Sequence, residues 1–420
     1  MLPTSIQELL LREAKTRFLR YVQINTQSDE HSHDHPSSSG QLDLGRMLVQ
    51  ELNALHIQDT TLDEYGYVYA TLPASPGVTA PPITLCAHLD TSPSEPGQGV
   101  QPVLHDHYDG GVIRFERNQD LILSPEDSPE LRTYIGQTII TAAGDTLLGA
   151  DDKAGVAEIL AAVAALQTWQ DLPHPELRLV LTPDEEIGQG TTHIRLENLG
   201  KYGYTLDGGG IGTLEDECFD AFRATLTFHG INVHPGWAKN RMVNAAAIAA
   251  RFVAALPEYD TPEHTEHREG FWHLTHIEGD ENLAEMSCIL RDFDQHHNRQ
   301  RIDLLKHLIQ AFELRYSGLR IDLDIQDQYR NMQEVLGQYP DVVHKAETAI
   351  DMAGVPVIKK AIRGGTDGAR LSFRGLPTPN IFAGGFMFHS KKEWIPEIAL
   401  QKASEVILHL CRLWAEGSAS

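Results

Sequence analysis

Gly149-Ala150-Asp151-Asp152-Lys153-Ala154-Gly155 is the stretch on which the reading of this chain turns. Two adjacent carboxylates stand between small residues. Val156, Ile159, Leu160 and Val163 follow at helical spacing, which predicts a helix from near Asp152. An Asp at such a start has two possible jobs. It caps the helix by accepting backbone N–H bonds, or it points into a cleft as a metal ligand. Taken alone, capping is the commoner outcome; the partners elsewhere in the chain favour the metal.

Working outward, Ile83 to Thr91 is a short apolar strand pattern ending in His88-x-Asp90, and the stretch 92–99 after it is rich in Pro, Gly and Ser. Strand ends are where active-site groups collect in α/β folds. Residues i and i+2 of an extended chain face one side, so His88 can ligate while Asp90 supports a neighbour. Leu177 to Thr182 is a second apolar strand, running into Pro183-Asp184-Glu185-Glu186-Ile187-Gly188. Like charges crowded at the end of a buried strand are costly unless a cation or proton offsets them; the plainer alternative is an exposed acidic turn. Asp207 marks a third strand-to-loop junction, in Leu206-Asp207-Gly208-Gly209-Gly210. Those glycines lack the spacing of a dinucleotide fingerprint, and no helix follows them. His389 supplies a second imidazole near the C-terminus. Two His and several carboxylates suit Zn²⁺ or another first-row divalent ion. Their number suits two metals sharing a bridging carboxylate, about 3.5–4 Å apart with a water between them.

The whole chain sets limits. At 420 residues it has room for two domains and a sizeable core. Its net charge of −25 argues against nucleic acid or an anionic membrane as partner. Four sparse cysteines without a CxxC pair suggest a reducing compartment. The first 22 residues read as an amphipathic helix and not a signal peptide. The longest apolar helix candidate, Ala245 to Leu256, is too short to span a bilayer. A cytoplasmic location is expected.

Helices are expected over residues 5–22, 42–55 and 397–413, with fraying of the last few residues. His31, His33 and His35 fall in a Ser/Asp/Gly-rich stretch expected to be a solvated loop. Residues 99–141 form an excursion whose function the sequence does not show. From Cys218 to Gln328 the order β-α-β-β-α-β predicts a ferredoxin-like insert. The expected fold is therefore α/β: a mixed central sheet flanked by helices, spanning residues 1–217 and 329–420, with an α+β lid at 218–328.

The segments AHLDT, LGADDKAG, TPDEEIG, LDGGG, NVHPGWAKNRMVNA, RDFD and RGGTDGARLS, with the His389 segment, resemble the tripeptide aminopeptidase branch of the M20 dizinc peptidases. The resemblance covers most of the chain in the right order and implies residue roles. Asp151 would bridge two Zn²⁺ per subunit, with Co²⁺ or Mn²⁺ as possible substitutes. His88 and Asp207 would complete one metal site, and Glu186 and His389 the other. Glu185 would be the general base for a metal-bridging hydroxide that attacks the peptide carbonyl, and Asp90 would orient His88. His234, from the lid, would assist at that carbonyl, and Arg291 and Arg363 would hold the peptide carboxylate. The expected substrate is a short peptide with a free amine, foremost a tripeptide. The alternatives are an M20 hydrolase of another specificity and a metal-binding relative without activity. Monomer and homodimer both stay open.

Overall fold

The computed structural model describes residues 2–417, so the expected fraying at the C-terminus falls partly on residues 418–420, outside the described residues. The chain divides into two compact units: Met1–Asp216 with Met332–Lys360 and Thr366–Ser420, and Glu217–Asn331 with Ala361–Gly365. The last of these pieces was expected in the other unit. The reason for the difference is Arg363. Its guanidinium donates to the carbonyl oxygens of Thr265, His267 and Glu269 and lies over the rings of Phe219 and Phe271.

In the first unit an eight-stranded mixed sheet runs in the order Gln58–Leu62, Val68–Leu72, Leu177–Thr182, Ile83–His88, Tyr202–Gly208, Asn380–Phe382, Thr213–Cys218 and Ile358–Ile362. Leu177–Thr182, Ile83–His88, Tyr202–Gly208 and Asn380–Phe382 are mutually parallel. All six residues of Ile83–His88 are buried, as a strand covered on both faces requires. The helix Ala150–Thr168 packs against Ile83–His88 and Tyr202–Gly208, and also against the helices Thr4–Tyr21 and Glu397–Glu416. It is buried continuously from Asp152 to Leu166, so it has no polar face.

The excursion at 99–141 ends in a small sheet, Val103–His105, Ile139–Thr141 and Trp394–Pro396. A core of Tyr108, Phe115, Leu131, Tyr134 and Trp394 lies beside it. Trp394 pairs with Thr141, and an isolated bridge joins it to Phe386. The excursion therefore anchors the loop that carries His389.

The second unit has the order β-α-β-β-α-β. Its antiparallel sheet runs Phe271–Gly279, Leu283–Asp292, Asp220–His229, Arg320–Tyr329. Alternate residues Phe222, Ala224, Leu226 and Phe228 meet Met286, Cys288 and Leu290 in one core, together with Ile248, Phe252, Leu305 and Phe312 from the two helices. The period-two pattern is that of a sheet with one buried face. This is the ferredoxin-like arrangement.

Gly155 is where the buried helix and the sheet come closest. A Cβ there would lie 2.0 Å from the Leu206 carbonyl oxygen and 2.4 Å from Asp152 Oδ1. Both neighbours belong to the strand and turn that carry the candidate ligands. Gly155→Ala is expected to destabilise the fold by about 1–3 kcal/mol, the usual range for overpacking. Urea denaturation of the variant beside the parent checks this, and an unchanged midpoint would refute it.

Candidate active site

The parallel register sets His88 opposite Thr182. The chain leaving Thr182 reaches Glu185 and Glu186 within four residues, just beyond the end of the neighbouring strand. Asp207 lies one residue before the end of the strand on the other side of His88. Outside the carboxyl ends of parallel strands is where an open α/β sheet offers a crevice. Asp151 enters from the start of the buried helix. His389 enters from a loop, in the left-handed region at φ 59°, and not from a regular element.

Four of these side chains converge on Asp151. Its Oδ1 lies 2.9 Å from His88 Nε2, and its Oδ2 lies 3.2 Å from His389 Nε2. His389 Nε2 is also 3.0 Å from Glu186 Oε2, and His88 Nε2 is 3.5 Å from Asp207 Oδ1. Asp151 thus stands between a His88–Asp207 side and a Glu186–His389 side. The Asp151–Asp152 peptide bond is cis.

The two adjacent aspartates divide the two jobs. Helical backbone angles begin only after Asp152. Asp152 Oδ1 accepts from the Gly155 N–H, as a capping residue does, and its Oδ2 accepts from the His88 N–H. Asp152 also lies within ligand distance of His88 and Asp207. Both of its oxygens are already engaged by backbone donors, whereas those of Asp151 face the two imidazoles.

Three further carboxylates hold the set in place. Asp90 accepts from the backbone N–H of Glu185 at 2.9 Å and of Glu186 at 3.1 Å, while His88 Nδ1 lies 3.0 Å from the Asp90 carbonyl oxygen and 3.4 Å from its Oδ1. One residue therefore steadies both His88 and the Glu185–Glu186 turn. Glu393 is buried and accepts from the N–H groups of Leu148, Gly149 and Asp151. Asp367 donates its own N–H to Glu185 Oε1 at 3.1 Å, and its Oδ2 accepts from the Thr182 hydroxyl. Sequence reasoning missed Glu393 and Asp367. The only signals were a Glu four residues after His389 and an Asp inside the Gly364–Arg370 turn.

The electrostatics follow from burial. Burial, with Asp151 adding to it, pushes Glu186 up to about 7, and burial does the same for Asp207. Burial and then the Asp367 carboxylate hold Glu185 well above the usual range. Hydrogen bonds to Asp151 and Glu186 raise His389 to about 11. For His88, burial pulls downward, but the Asp151 and Asp207 carboxylates win and hold it well above an ordinary imidazole. The acidic groups thus draw protons onto both imidazoles. A divalent cation on the same lone pairs replaces those protons and compensates more charge. The donor set fits such ions: His88, Asp151 and Glu186 offer ligand atoms within 4.8 Å of one another, and the buried Glu186 Oε1 has no protein partner.

The expected solvated histidine loop is a correction. His31 and His33 are exposed, but His35 is partly buried, 3.2 Å from Asp184 Oδ2 and stacked on Tyr67. The three lid residues lie in the second unit. His234 is near the ring of Trp237 and accepts from the Gly236 N–H. Arg291 donates to the carbonyl oxygens of Phe222 and Leu290 and to Gln328. Arg363 makes the carbonyl contacts described above.

Residues 147–413 match the model of peptidase family M20/M25/M40. Peptidase T of Geobacillus kaustophilus is 46% identical over 406 residues, which is 96% of this chain and 99% of that protein. The chain belongs to peptidase family M20/M25/M40. Peptidase T of Halothermothrix orenii is 45% identical over 95% of this chain and 98% of its own length. Two solved structures share the fold. An aminopeptidase PepT from Bacillus cereus has a TM-score of 0.74 at 21% identity, covering 96% of this chain and 99% of that one. A tripeptidase from Staphylococcus aureus has a TM-score of 0.76 at 20% identity, covering 97% and 99%.

Within this M20 chain, Glu393 gives the sharpest test of the support. Glu393→Ala leaves three backbone donors beside Asp151 without their acceptor. Loss of an outer partner of a metal ligand typically costs about 10–100-fold in metal affinity. Competition with a chromophoric chelator is expected to show a loss in that range, and unchanged affinity would remove Glu393 from the support of Asp151.

Proposed function

We infer that this M20 peptidase is a metal-dependent aminopeptidase that releases the N-terminal residue of short peptides, tripeptides foremost. The observation that carries the reading is Glu185. It adjoins the candidate ligands and is held at both ends: its N–H by Asp90 and its Oε1 by the Asp367 N–H. A protein that only stored metal would have no use for an oriented carboxylate beside the ligands. The near full-length identity to peptidase T proteins supports the same substrate class.

The proposed ligands are His88 and Asp207 for one Zn²⁺, Glu186 and His389 for the other, with Asp151 shared; Co²⁺ and Mn²⁺ suit the same donors. The chemistry a metal pair supplies when bound is Lewis acidity, which lowers the pKa of a water toward neutrality and polarises a carbonyl. Glu185 takes the proton of the attacking water as its oxygen bonds to the peptide carbon. The same carboxyl then returns a proton to the leaving nitrogen as the C–N bond breaks. Burial keeps Glu185 more basic than an ordinary carboxylate, which suits it to both transfers. His234 is the proposed donor to the tetrahedral oxyanion. Arg291 and Arg363 are the proposed partners of the peptide carboxylate. Cys86, Cys218, Cys288 and Cys411 are all buried, and the reducing cytoplasm is the proposed place of action. Among the described residues, no helix is long and apolar enough to cross a membrane.

Release of the N-terminal residue is expected from a free tripeptide, lost with chelator, restored by zinc, and absent with the N-acetylated twin. Turnover of the blocked peptide would move the assignment to another M20 specificity. Glu185→Ala is expected to keep two metals and lose at least about 10²-fold in kcat, the lower end of a general base's contribution. Wild-type turnover in that variant would place the base elsewhere.

A further inference from the structure

The histidine segment has a place in the site that the mechanism above does not use. We propose that residues 35–41 form a clamp on Asp184 that sets the direction of the Glu185–Glu186 turn, making Ser37, Gln41 and Asp184 positioning residues for the general base. The proposal rests on the reading of Glu185 as that base.

Asp184 is fully buried and sits in the left-handed region at φ 56°. That conformation is unfavourable for a residue with a Cβ, so it persists where the surroundings over-determine it. The surroundings here are one short segment. Ser37 donates its N–H to Asp184 Oδ2 at 2.8 Å and its hydroxyl to Oδ1 at 2.5 Å. Gln41 is fully buried; its Nε2 donates to Oδ1 at 2.7 Å, and its Oε1 accepts the Asp184 N–H at 3.0 Å. His35 Nδ1 lies 3.2 Å from Oδ2. The imidazole is seated between the ring of Tyr67, 5.9 Å away, and the edge of His193, 4.8 Å away. The segment itself is pinned at Gly40, where a Cβ would lie 1.7 Å from the Asn25 carbonyl oxygen.

The far side of Asp184 leads straight to the chemistry. Its carbonyl accepts the Gln189 N–H at 2.8 Å, closing the turn that contains both glutamates. The next two N–H groups are those held by Asp90. The turn is thus gripped by Asp90 on one side and by the 35–41 clamp on the other. Releasing the clamp lets Asp184 leave its left-handed conformation, and Glu185 turns with it. A misplacement of about 1 Å at a catalytic group is enough to cost on the order of 10²-fold in rate.

The test uses the full chain loaded with zinc, with trialanine as substrate. Gln41→Met keeps side-chain volume and removes both clamp bonds; Ser37→Ala removes one hydroxyl; Asp184→Asn and Asp184→Ala form a conservative and a disruptive pair. The expected result for Gln41→Met is a fall in kcat of about tenfold or more, with KM within about twofold and two metals retained. Amide hydrogen exchange over residues 184–189 is expected to quicken in step, and Asp184→Asn to retain more turnover than Asp184→Ala. Wild-type kcat with unchanged exchange in both Gln41→Met and Ser37→Ala would overturn the clamp. So would a loss of rate that only follows loss of bound metal. If Gln41→Met does not fold, Ser37→Ala with Asp184→Asn decides by the same readouts. An inactive but metal-loaded parent would fail the peptidase reading instead, and the exchange data alone would then decide whether the clamp holds the turn.

Discussion

Crowded negative charge at the ends of parallel strands is the constraint on which the rest of this structure depends. Asp151, Glu185, Glu186, Asp207 and Asp367 crowd near the two imidazoles of His88 and His389, and most of that surface is out of water. Ionised carboxylates cost several kcal/mol each to bury without a partner. The cluster therefore calls for cations, and the way to hold it together before they arrive is to give each acidic group a fixed set of donors. The protein does this largely with backbone N–H groups, which cannot rotate away as side chains do.

Asp90, Glu393 and Asp152 are the clearest cases. Each uses a carboxylate to accept from two or more main-chain N–H groups, and each adjoins a candidate ligand. Asp90 joins the strand end at His88 to the Glu185–Glu186 turn. Glu393 ties the loop after His389 to the approach to Asp151. Asp152 joins the helix start to the His88 backbone. Gly155 belongs to the same arrangement, because only the absence of a Cβ lets that helix lie against the Leu206 carbonyl beside Asp207. The candidate ligands are thus held in place by neighbouring carboxylates.

Most elements were legible because their periods are clean. The strands ending at His88 and Thr182 are short apolar runs, and the second unit alternates apolar and polar residues as a one-sided sheet must. Most of the candidate-ligand segments stood out because each pairs an ionisable residue with a strand or helix end; His389 lies on a loop. What failed to show were long-range contacts made by ordinary-looking residues. Composition marked 31–40 as a solvated loop, yet His35 and Ser37 reach Asp184, some 147 positions away in the chain for Ser37. Glu393 was given no role by the sequence, and its three backbone partners lie more than 240 positions away. Arg363 was assigned to the first domain by chain order, whereas the carbonyl oxygens that accept from it place it with the second.

By itself, then, the sequence indicated most element types, a chain with room for two units and a candidate set of metal ligands, because side-chain chemistry and periodicity are local properties. Which of two neighbouring aspartates caps the helix and which faces the imidazoles was decided only in three dimensions. So were the anchors of Glu185 and the reach of the histidine segment to Asp184. The physical reason is the same in each case: a buried carboxylate takes whichever donors the fold brings within about 3 Å, and that distance is set by packing between segments far apart in the chain.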